Sequence, residues 1–216
     1  MRSELACGAL AVLVAATCFT AGCKRGRGQE PAEAQAPVAR FAAVEPPAAS
    51  AASSRFCEKT YPATGPAARR FTPGPTRPLP GGASAAAPAA PSPGAWTWLN
   101  VWATWCKPCI AEMGLLARWQ AGLQREGRTI ALDLLSVDAA DAEDALGKAI
   151  AGGLPGPVRW LRSPEDLGPL LDGLGVARGA ALPVHALVDP AGMVRCVRVG
   201  AIHDRDYGAV KALLGG

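Results

Sequence analysis

The feature that most constrains the fold of this chain is a near-continuous apolar run over residues 96–103, "WTWLNVWA". Successive side chains of a strand point to opposite faces, so an unbroken apolar run indicates a strand that is buried on both faces of a sheet. Such a sheet needs covering layers on both sides. The run therefore predicts a layered α/β structure with this strand at its centre.

The sequence after this strand alternates between helical and extended patterns. Amphipathic periodicity and stop signals predict helices over residues 108–125, 142–151, 164–174 and 204–214. Apolar runs predict further strands over residues 129–137, 158–161, 184–188 and 193–199. A turn, "DPAG", with proline at its second position, joins the last two strands, which are expected to be antiparallel. The elements predict an α/β fold, a central mixed β-sheet flanked by helices.

The first 22 residues predict a signal peptide rather than part of the folded domain. Residues 5–19 are almost wholly apolar or small, and they are too few to span a bilayer comfortably. They lead to "TAGC", which resembles a bacterial lipobox with Thr20 in place of the usual leucine. This resemblance implies that Cys23 is lipidated and anchors the mature chain. The alternative is an ordinary cleaved signal peptide with a chance cysteine.

The rest of the chain divides by composition. Residues 23–55 are rich in alanine, proline, glutamate and glutamine, which predicts a disordered tether. Residues 56–93 carry many prolines and are predicted to form an irregular N-terminal extension, with a short edge strand at most. Residues 94–216 hold all the regular elements and form the predicted domain. The net charge of +4 comes without a long basic stripe, so nucleic acid is excluded as an expected partner.

Export would change the reading of the seven cysteines. Two leave with the signal peptide and Cys23 carries lipid, so Cys57, Cys106, Cys109 and Cys196 remain. Thiols outside the cytoplasm can be oxidised and stay oxidised. Cys57 and Cys196 are therefore either a structural disulfide, which would staple the N-terminal extension to the last hairpin, or two unrelated thiols.

The Cys106–Cys109 pair, a CXXC motif, is compatible with a metal site or with redox chemistry. Structural zinc usually needs a second pair or two suitably spaced histidines, and no metal is expected here because the two histidines are distant and isolated. Cys106 is predicted at a helix N-terminus, where free N–H groups and the helix dipole favour a thiolate, and Lys107 adds positive charge. Pro108 suits the first helical turn. Cys106 is thus the candidate nucleophile, and Cys109, one turn inward, is the candidate resolving thiol.

Two segments resemble a known family. "WLNVWATWCKPCIAEM" and "GAALPVHALVDPAGMVRCVRVG" are similar to the thioredoxin superfamily, and most to its exported, membrane-anchored TlpA/ResA-type thiol–disulfide oxidoreductases. The resemblance implies a thioredoxin-like fold. It also implies that Pro183 is a cis-proline beside the cysteines, that the backbone of Leu182 pairs with substrate, and that Trp105 forms an exposed apolar rim. Lys107 and Pro108 complete the expected substrate-binding residues.

The chain departs from the family pattern at several positions. Asn100 stands where cytoplasmic thioredoxins have a buried aspartate that takes a proton from the resolving cysteine. Asp138 or Asp141 is a candidate replacement, with solvated loop acids as the plainer interpretation. His185, two residues after Pro183, either contacts substrate, modifies the thiols or is simply packed.

The resemblance implies an enzyme on the periplasmic face of a bacterial membrane, held there by lipid. It would reduce protein disulfides, such as those of apocytochrome c or copper-site thiols, with no cofactor besides its own Cys106–Cys109 disulfide. The Lys107-Pro108 dipeptide resembles that of reducing members. A membrane-embedded donor would supply electrons. The alternative is a copper-binding assembly factor for a respiratory oxidase, since soft thiolates suit Cu(I).

Overall fold

The central sheet is built around the strand that the apolar run predicted. The computed structural model describes residues 56–82 and 94–215. The predicted signal peptide (residues 1–22), the lipidated Cys23 and the tether (residues 23–55) lie outside these residues. The strands are β1 (Lys59–Thr60), β2 (Arg69–Arg70), β3 (Thr76–Arg77), β4 (Trp96–Trp102), β5 (Ile130–Ser136), β6 (Val158–Leu161), β7 (Val184–Val188) and β8 (Met193–Val199).

The strand order is β1-β8-β7-β4-β5-β6-β3, with β2 also paired to β8. Strand β4 pairs in parallel with β5 and antiparallel with β7, so the predicted mixed sheet is confirmed. The central position of β4 explains its apolar composition, because four of its side chains are each at most 1% exposed: Trp98, Leu99, Val101 and Trp102. Both faces of this strand are covered, and polar Asn100 in its middle is also completely buried.

Within the described residues, the sheet is accompanied by four α-helices: α1 (Lys107–Arg125), α2 (Glu143–Ala151), α3 (Leu167–Leu174) and α4 (Tyr207–Leu213). A short 3₁₀ turn precedes each of α2, α3 and α4, and these turns begin within two residues of the predicted helix starts. The α-helices themselves therefore begin later than predicted. Gly175 ends α3 in the left-handed conformation, with φ of 75°. A Cβ atom at this position would clash with the hydroxyl of Tyr61. A glycine is required there for both reasons.

Helices α1 and α4 cover the face of the sheet that carries Trp98. Trp119 of α1 packs on Trp98 with ring centroids 5.9 Å apart, and Tyr207 of α4 packs edge-on against Trp119 at 5.4 Å. The residues between β4 and α1 therefore lie at the junction of a rigid strand and a well-packed helix.

The N-terminal segment, residues 56–82, is more regular than predicted. It adds β1 and β2 along β8 and adds β3 along β6, so it extends the sheet at both edges. Frequent prolines, which lack an N–H for the ladder, keep these strands to two residues each. The structure also joins Cys57 to Cys196 of β8 by a disulfide bond with an S–S distance of 2.07 Å. Within residues 56–82 and 94–215, none of the helices has the length and apolarity needed to cross a membrane.

Candidate active site

The cysteine pair sits at the start of α1, directly after β4. Cys106 caps the helix, and its Sγ accepts a hydrogen bond from the N–H of Cys109 at 3.3 Å. Pro108 lies in the first turn, where no N–H is needed for the helix ladder. The two cysteines form a disulfide with an S–S distance of 1.98 Å, so the structure shows the oxidised site. The helix N-terminus would stabilise a thiolate on Cys106 once this bond is reduced.

Burial differs sharply along this motif. Cys109 is completely buried, and Cys106 is only 4% exposed in the oxidised state. Trp105, just before the nucleophile, is 66% exposed. The other exposed large apolar side chain in the described residues is Ile110, at 44%. The Trp105 ring is therefore exposed to solvent, while the neighbouring Cys106 is buried, and both line the same groove.

The described residues also place a groove beside the disulfide. It has a volume of about 690 Å³, and five of its eleven lining residues are predicted site residues. These five are Trp105, Cys106, Lys107, Pro108 and Leu182. The others are mostly small or apolar: Val137, Ala139, Pro164, Leu167, Ala180 and Ala181. The groove thus offers an apolar floor with a single cation, Lys107, at its edge.

A cis-proline directly follows Leu182, which lines the groove. The Leu182–Pro183 peptide bond is cis, and Pro183 is buried while Leu182 is half-buried. The carbonyl of Pro183 accepts a hydrogen bond from Gly200 N–H at 2.8 Å, which ties the segment to the end of β8. Leu182 keeps access to the groove, as the predicted pairing with a substrate backbone requires.

The loop that carries Trp105 is held by Asp138, which follows β5. Its carboxylate accepts hydrogen bonds from the N–H and hydroxyl of Thr104 and from the hydroxyl of Ser136, at 2.7 to 3.1 Å. These bonds occupy both carboxylate oxygens of Asp138, and Asp141 is exposed. Asp138 therefore anchors the loop, and its role as a proton acceptor, suggested from the sequence, stays a prediction.

Glu112 is a buried acid on the helix that carries the cysteines, and sequence reasoning did not single it out as a site residue. It is three residues after Cys109 and only 4% exposed, so both side chains lie on the buried face of α1. Its carboxylate accepts hydrogen bonds from Asn100 Nδ2 at 2.9 Å and from the N–H of Ile202 at 3.0 Å, and it lies 3.3 Å from His185 Nε2. The signal in the sequence was a charged residue inside the apolar stripe of a helix.

No group of three or more histidine, cysteine, aspartate or glutamate side chains in the described ranges is arranged to hold a metal ion. The ring nitrogens of His185 face Trp98, Asn100 and Glu112. The chemistry that this arrangement can carry out is thiol–disulfide exchange, in which one sulfur attacks and a buried second sulfur follows.

No protein-family model matches the sequence, and no curated protein matches it significantly. Solved structures do resemble it. The thioredoxin domain of a thiol-disulfide oxidoreductase from Bacteroides vulgatus matches with a TM-score of 0.50 at 20% identity, over 69% of this chain and 99% of that one. A thioredoxin-family thiol:disulfide interchange protein from Chlorobium tepidum gives a TM-score of 0.49 at 19% identity, over 71% and 100% of the two chains.

A further thiol:disulfide interchange protein, from a Bacteroides species, gives a TM-score of 0.48 at 18% identity, over 69% and 90% of the two chains. At 20% identity, the likeness to the Bacteroides vulgatus domain bears on the fold, and 99% of the length of that domain is matched. The mixed sheet with its flanking helices agrees with that likeness, so the predicted fold class is confirmed. This chain therefore has the thioredoxin fold, the fold of the superfamily that its sequence resembles.

Proposed function

We propose that this chain is an exported thiol–disulfide oxidoreductase that reduces disulfide bonds of other proteins. The observation that carries the proposal is the Cys106–Cys109 disulfide at a helix N-terminus, set in an apolar groove beside a cis-proline. An extended protein segment fits such a groove, because its backbone can pair with Leu182 while its side chains contact Trp105.

The reaction begins from the reduced site. The Cys106 thiolate attacks one sulfur of the substrate disulfide, a mixed disulfide forms, and the first substrate sulfur leaves as a thiol after taking a proton. The Cys109 thiolate then attacks Cys106 Sγ and releases the second substrate sulfur. The substrate gains two electrons and two protons, and the enzyme is left with the disulfide seen in the structure. A membrane-embedded dithiol donor is proposed to return the two electrons.

The proposed location is the periplasmic face of a bacterial membrane, with Cys23 as the lipidated anchor. Support comes from the apolar leader and the lipobox-like "TAGC" of the sequence. The buried Cys57–Cys196 disulfide is consistent with an oxidising compartment, where such bonds persist. Apocytochrome c cysteines and copper-site thiols are the proposed substrates, on the family resemblance described above.

The test uses the mature chain, a protein disulfide substrate and two matched variants. Cys109→Ser should accumulate a mixed disulfide with substrate, because the resolving sulfur is missing, whereas Cys106→Ser should form none. The redox potential of the couple should lie nearer to about −270 mV, as in thioredoxin, than to about −120 mV, as in a strong oxidant. A potential near the oxidant value would refute the reducing direction.

A Cu(I) titration of the reduced protein, run alongside, tests the alternative of a copper-binding assembly factor. Weak binding with full exchange activity supports the oxidoreductase. Tight stoichiometric binding without exchange activity would replace the proposal by the copper function. Exchange activity that survives in Cys106→Ser would remove the assigned mechanism.

A further inference from the structure

The loop between α3 and β7, residues 175–183, forms one wall of the groove beside the disulfide. It supplies three of the lining residues, Ala180, Ala181 and Leu182. In the described part of the chain, residues 177–182 make one backbone hydrogen bond among themselves, from Ala180 N–H to the carbonyl of Ala177. A segment with so few bonds of its own is easily displaced, so its position depends on how its two ends are held.

Each end of this loop is held by a neighbouring element. At the end next to β7, the carbonyl of Pro183 accepts a hydrogen bond from Gly200 N–H. At the other end, the chain leaves α3 through Gly175. Arg178 then donates two hydrogen bonds back to the carboxylate of Asp172, in the last turn of α3. That last turn is therefore the anchor for the first half of the loop.

Two side chains of the N-terminal segment, Tyr61 and Arg69, close the last turn of α3, and we call this pair the clamp. The Tyr61 hydroxyl donates to the carbonyl of Leu174 at 3.1 Å. Arg69 Nη1 donates to the carbonyls of Asp172 and Gly173 at 3.0 and 3.3 Å, and its guanidinium lies over the Tyr61 ring. The last carbonyls of a helix have no partner within the helix, and a positive charge there also suits the helix dipole. The clamp thus fixes the turn on which the loop depends.

The N-terminal segment is attached to the domain independently of the clamp side chains. The backbone N–H groups of Glu58 and Tyr61 each donate to a carbonyl of β8, and the Cys57–Cys196 disulfide joins the segment to the same strand. These attachments remain when a clamp side chain is shortened. Neither Tyr61 nor Arg69 lines the groove, so any effect of the clamp on the groove must pass through α3 and the loop.

We propose that Tyr61 and Arg69 are positioning residues for substrate binding, which hold the loop so that Leu182 stays in place to pair with a protein segment. This inference rests on the proposed oxidoreductase function. A wall that is fixed before binding costs less free energy to use than a wall that the substrate must order. Loss of the clamp should therefore weaken the binding of a protein substrate. The exchange chemistry of the cysteines should stay unchanged, because the clamp acts on the loop.

The experiment compares Arg69→Met with Arg70→Met as a matched control. Arg70 is the other residue of β2, and its guanidinium donates to the carbonyl of Ala191, in the turn between β7 and β8, at 3.1 Å. Each substitution removes an arginine that bonds backbone carbonyls, but only Arg69→Met opens the clamp. Tyr61→Phe is the second clamp variant, since it removes the hydroxyl that bonds Leu174 and keeps the ring. Circular dichroism and thermal unfolding establish that all three variants fold.

The first readout is the reduction of insulin with dithiothreitol as the final reductant, beside the single-turnover reaction of the reduced protein with a small aromatic disulfide. Arg69→Met should raise KM for insulin about fivefold with kcat within about twofold, and Tyr61→Phe should raise it in the same direction. Arg70→Met should match the wild type. The rate with the aromatic disulfide should be the same in all four proteins, because so small a substrate does not need the wall. An unchanged KM in Arg69→Met, or an equal rise in Arg70→Met, would overturn the proposal.

The second readout is amide hydrogen exchange by NMR, which does not depend on activity. The N–H groups of Gly175, Val176 and Ala180 are hydrogen-bonded in the loop and its anchor, so they report its opening. They should exchange about fivefold faster in Arg69→Met than in the wild type, and at the wild-type rate in Arg70→Met. Equal exchange in both variants would overturn the clamp. If the wild type reduces neither insulin nor the aromatic disulfide while exchange differs as expected, the oxidoreductase function fails and the hold of the clamp on the loop stands.

Discussion

Removal of the Cys57–Cys196 disulfide should destabilise the fold strongly and leave thiol chemistry intact. The bond connects the N-terminal segment to β8 across a sequence separation of 139 residues. Both cysteines are buried, at 7% and 1% exposure, so alanine is the suitable replacement because serine would bury an unpaired hydroxyl. The parent for the measurement is Cys106→Ala/Cys109→Ala, with alanine for the same reason, and in it the Cys57–Cys196 bond is the remaining disulfide of the described residues.

The magnitude follows from the length of the loop. In the chain-entropy account, a disulfide that closes a loop of this length restricts the unfolded chain by about 5 kcal/mol, and native disulfides typically contribute about 2–4 kcal/mol. We expect Cys57→Ala/Cys196→Ala to lower the free energy of unfolding by about 3–5 kcal/mol. The hydrogen bonds from Glu58 N–H to Val197 O and from Tyr61 N–H to Arg195 O remain possible, so the loss should come mainly from the unfolded state.

Urea unfolding followed by tryptophan fluorescence measures this difference. With a slope of about 2 kcal/mol per molar urea, the midpoint should fall by about 2 M. The control is the parent in excess reductant, which breaks the same bond without any substitution and should lose a similar amount. A loss below about 1 kcal/mol, or a reduced parent as stable as the oxidised one, would refute the reasoning. Exchange activity in the otherwise native chain should stay within about twofold.

Three further predictions concern other residues. Asp133→Asn should lower the free energy of unfolding by about 3–5 kcal/mol, because it leaves the buried guanidinium of Arg159 without its counter-charge. In the native protein that guanidinium donates to the two Asp133 carboxylate oxygens at 2.6 and 2.8 Å. Chemical denaturation measures the loss, and a loss below about 1 kcal/mol would contradict the prediction. Trp105→Ala should reduce kcat/KM for a protein disulfide about tenfold, since the exposed ring lines the groove. The free energy of unfolding should stay within about 0.5 kcal/mol of the wild type. If the substitution left kcat/KM unchanged for both a protein disulfide and a small disulfide, a docking role for Trp105 would be contradicted. The hydrogen bonds from Arg162 lower the pKa of Asp166, so the contribution of this carboxylate to stability is present above its unfolded-state pKa and is lost as the pH falls through its folded-state pKa. The difference in free energy of unfolding between wild type and Asp166→Asn should therefore shrink from neutral pH into the acid range. A difference that stays constant over this range would argue against the pairing.

Much of the fold could be predicted from local patterns. The run at residues 96–103 indicated the central strand, and the strand from Val158 to Leu161 was predicted with its observed bounds. These patterns depend on periodicity and stop signals that act within a few residues, which a sequence displays directly. The N-terminal segment was harder, because two-residue strands carry no periodicity and their pairing with β8 and β6 is long-range.

The residues of the candidate site could likewise be predicted only in part. The CXXC motif, the exposed tryptophan before it and the proline far downstream are readable from the sequence, because their chemistry is local or follows the family resemblance. The burial of Glu112 could not be predicted from the sequence, because a single carboxylate in a helix can face either solvent or the core. Only the packing of α1 against β4 and β7 turned it toward Asn100 and His185.

The sequence by itself determined the layered α/β architecture, the redox-capable cysteine pair and the helix that presents it, since apolar periodicity and motif spacing act along the chain. The tertiary structure alone decided that Glu112 is buried against Asn100 and His185. It also showed that Asp138 anchors the loop before the cysteines. These outcomes depend on side chains that are distant in the sequence and meet through strand register and helix packing, where burial forces each polar atom to find a partner.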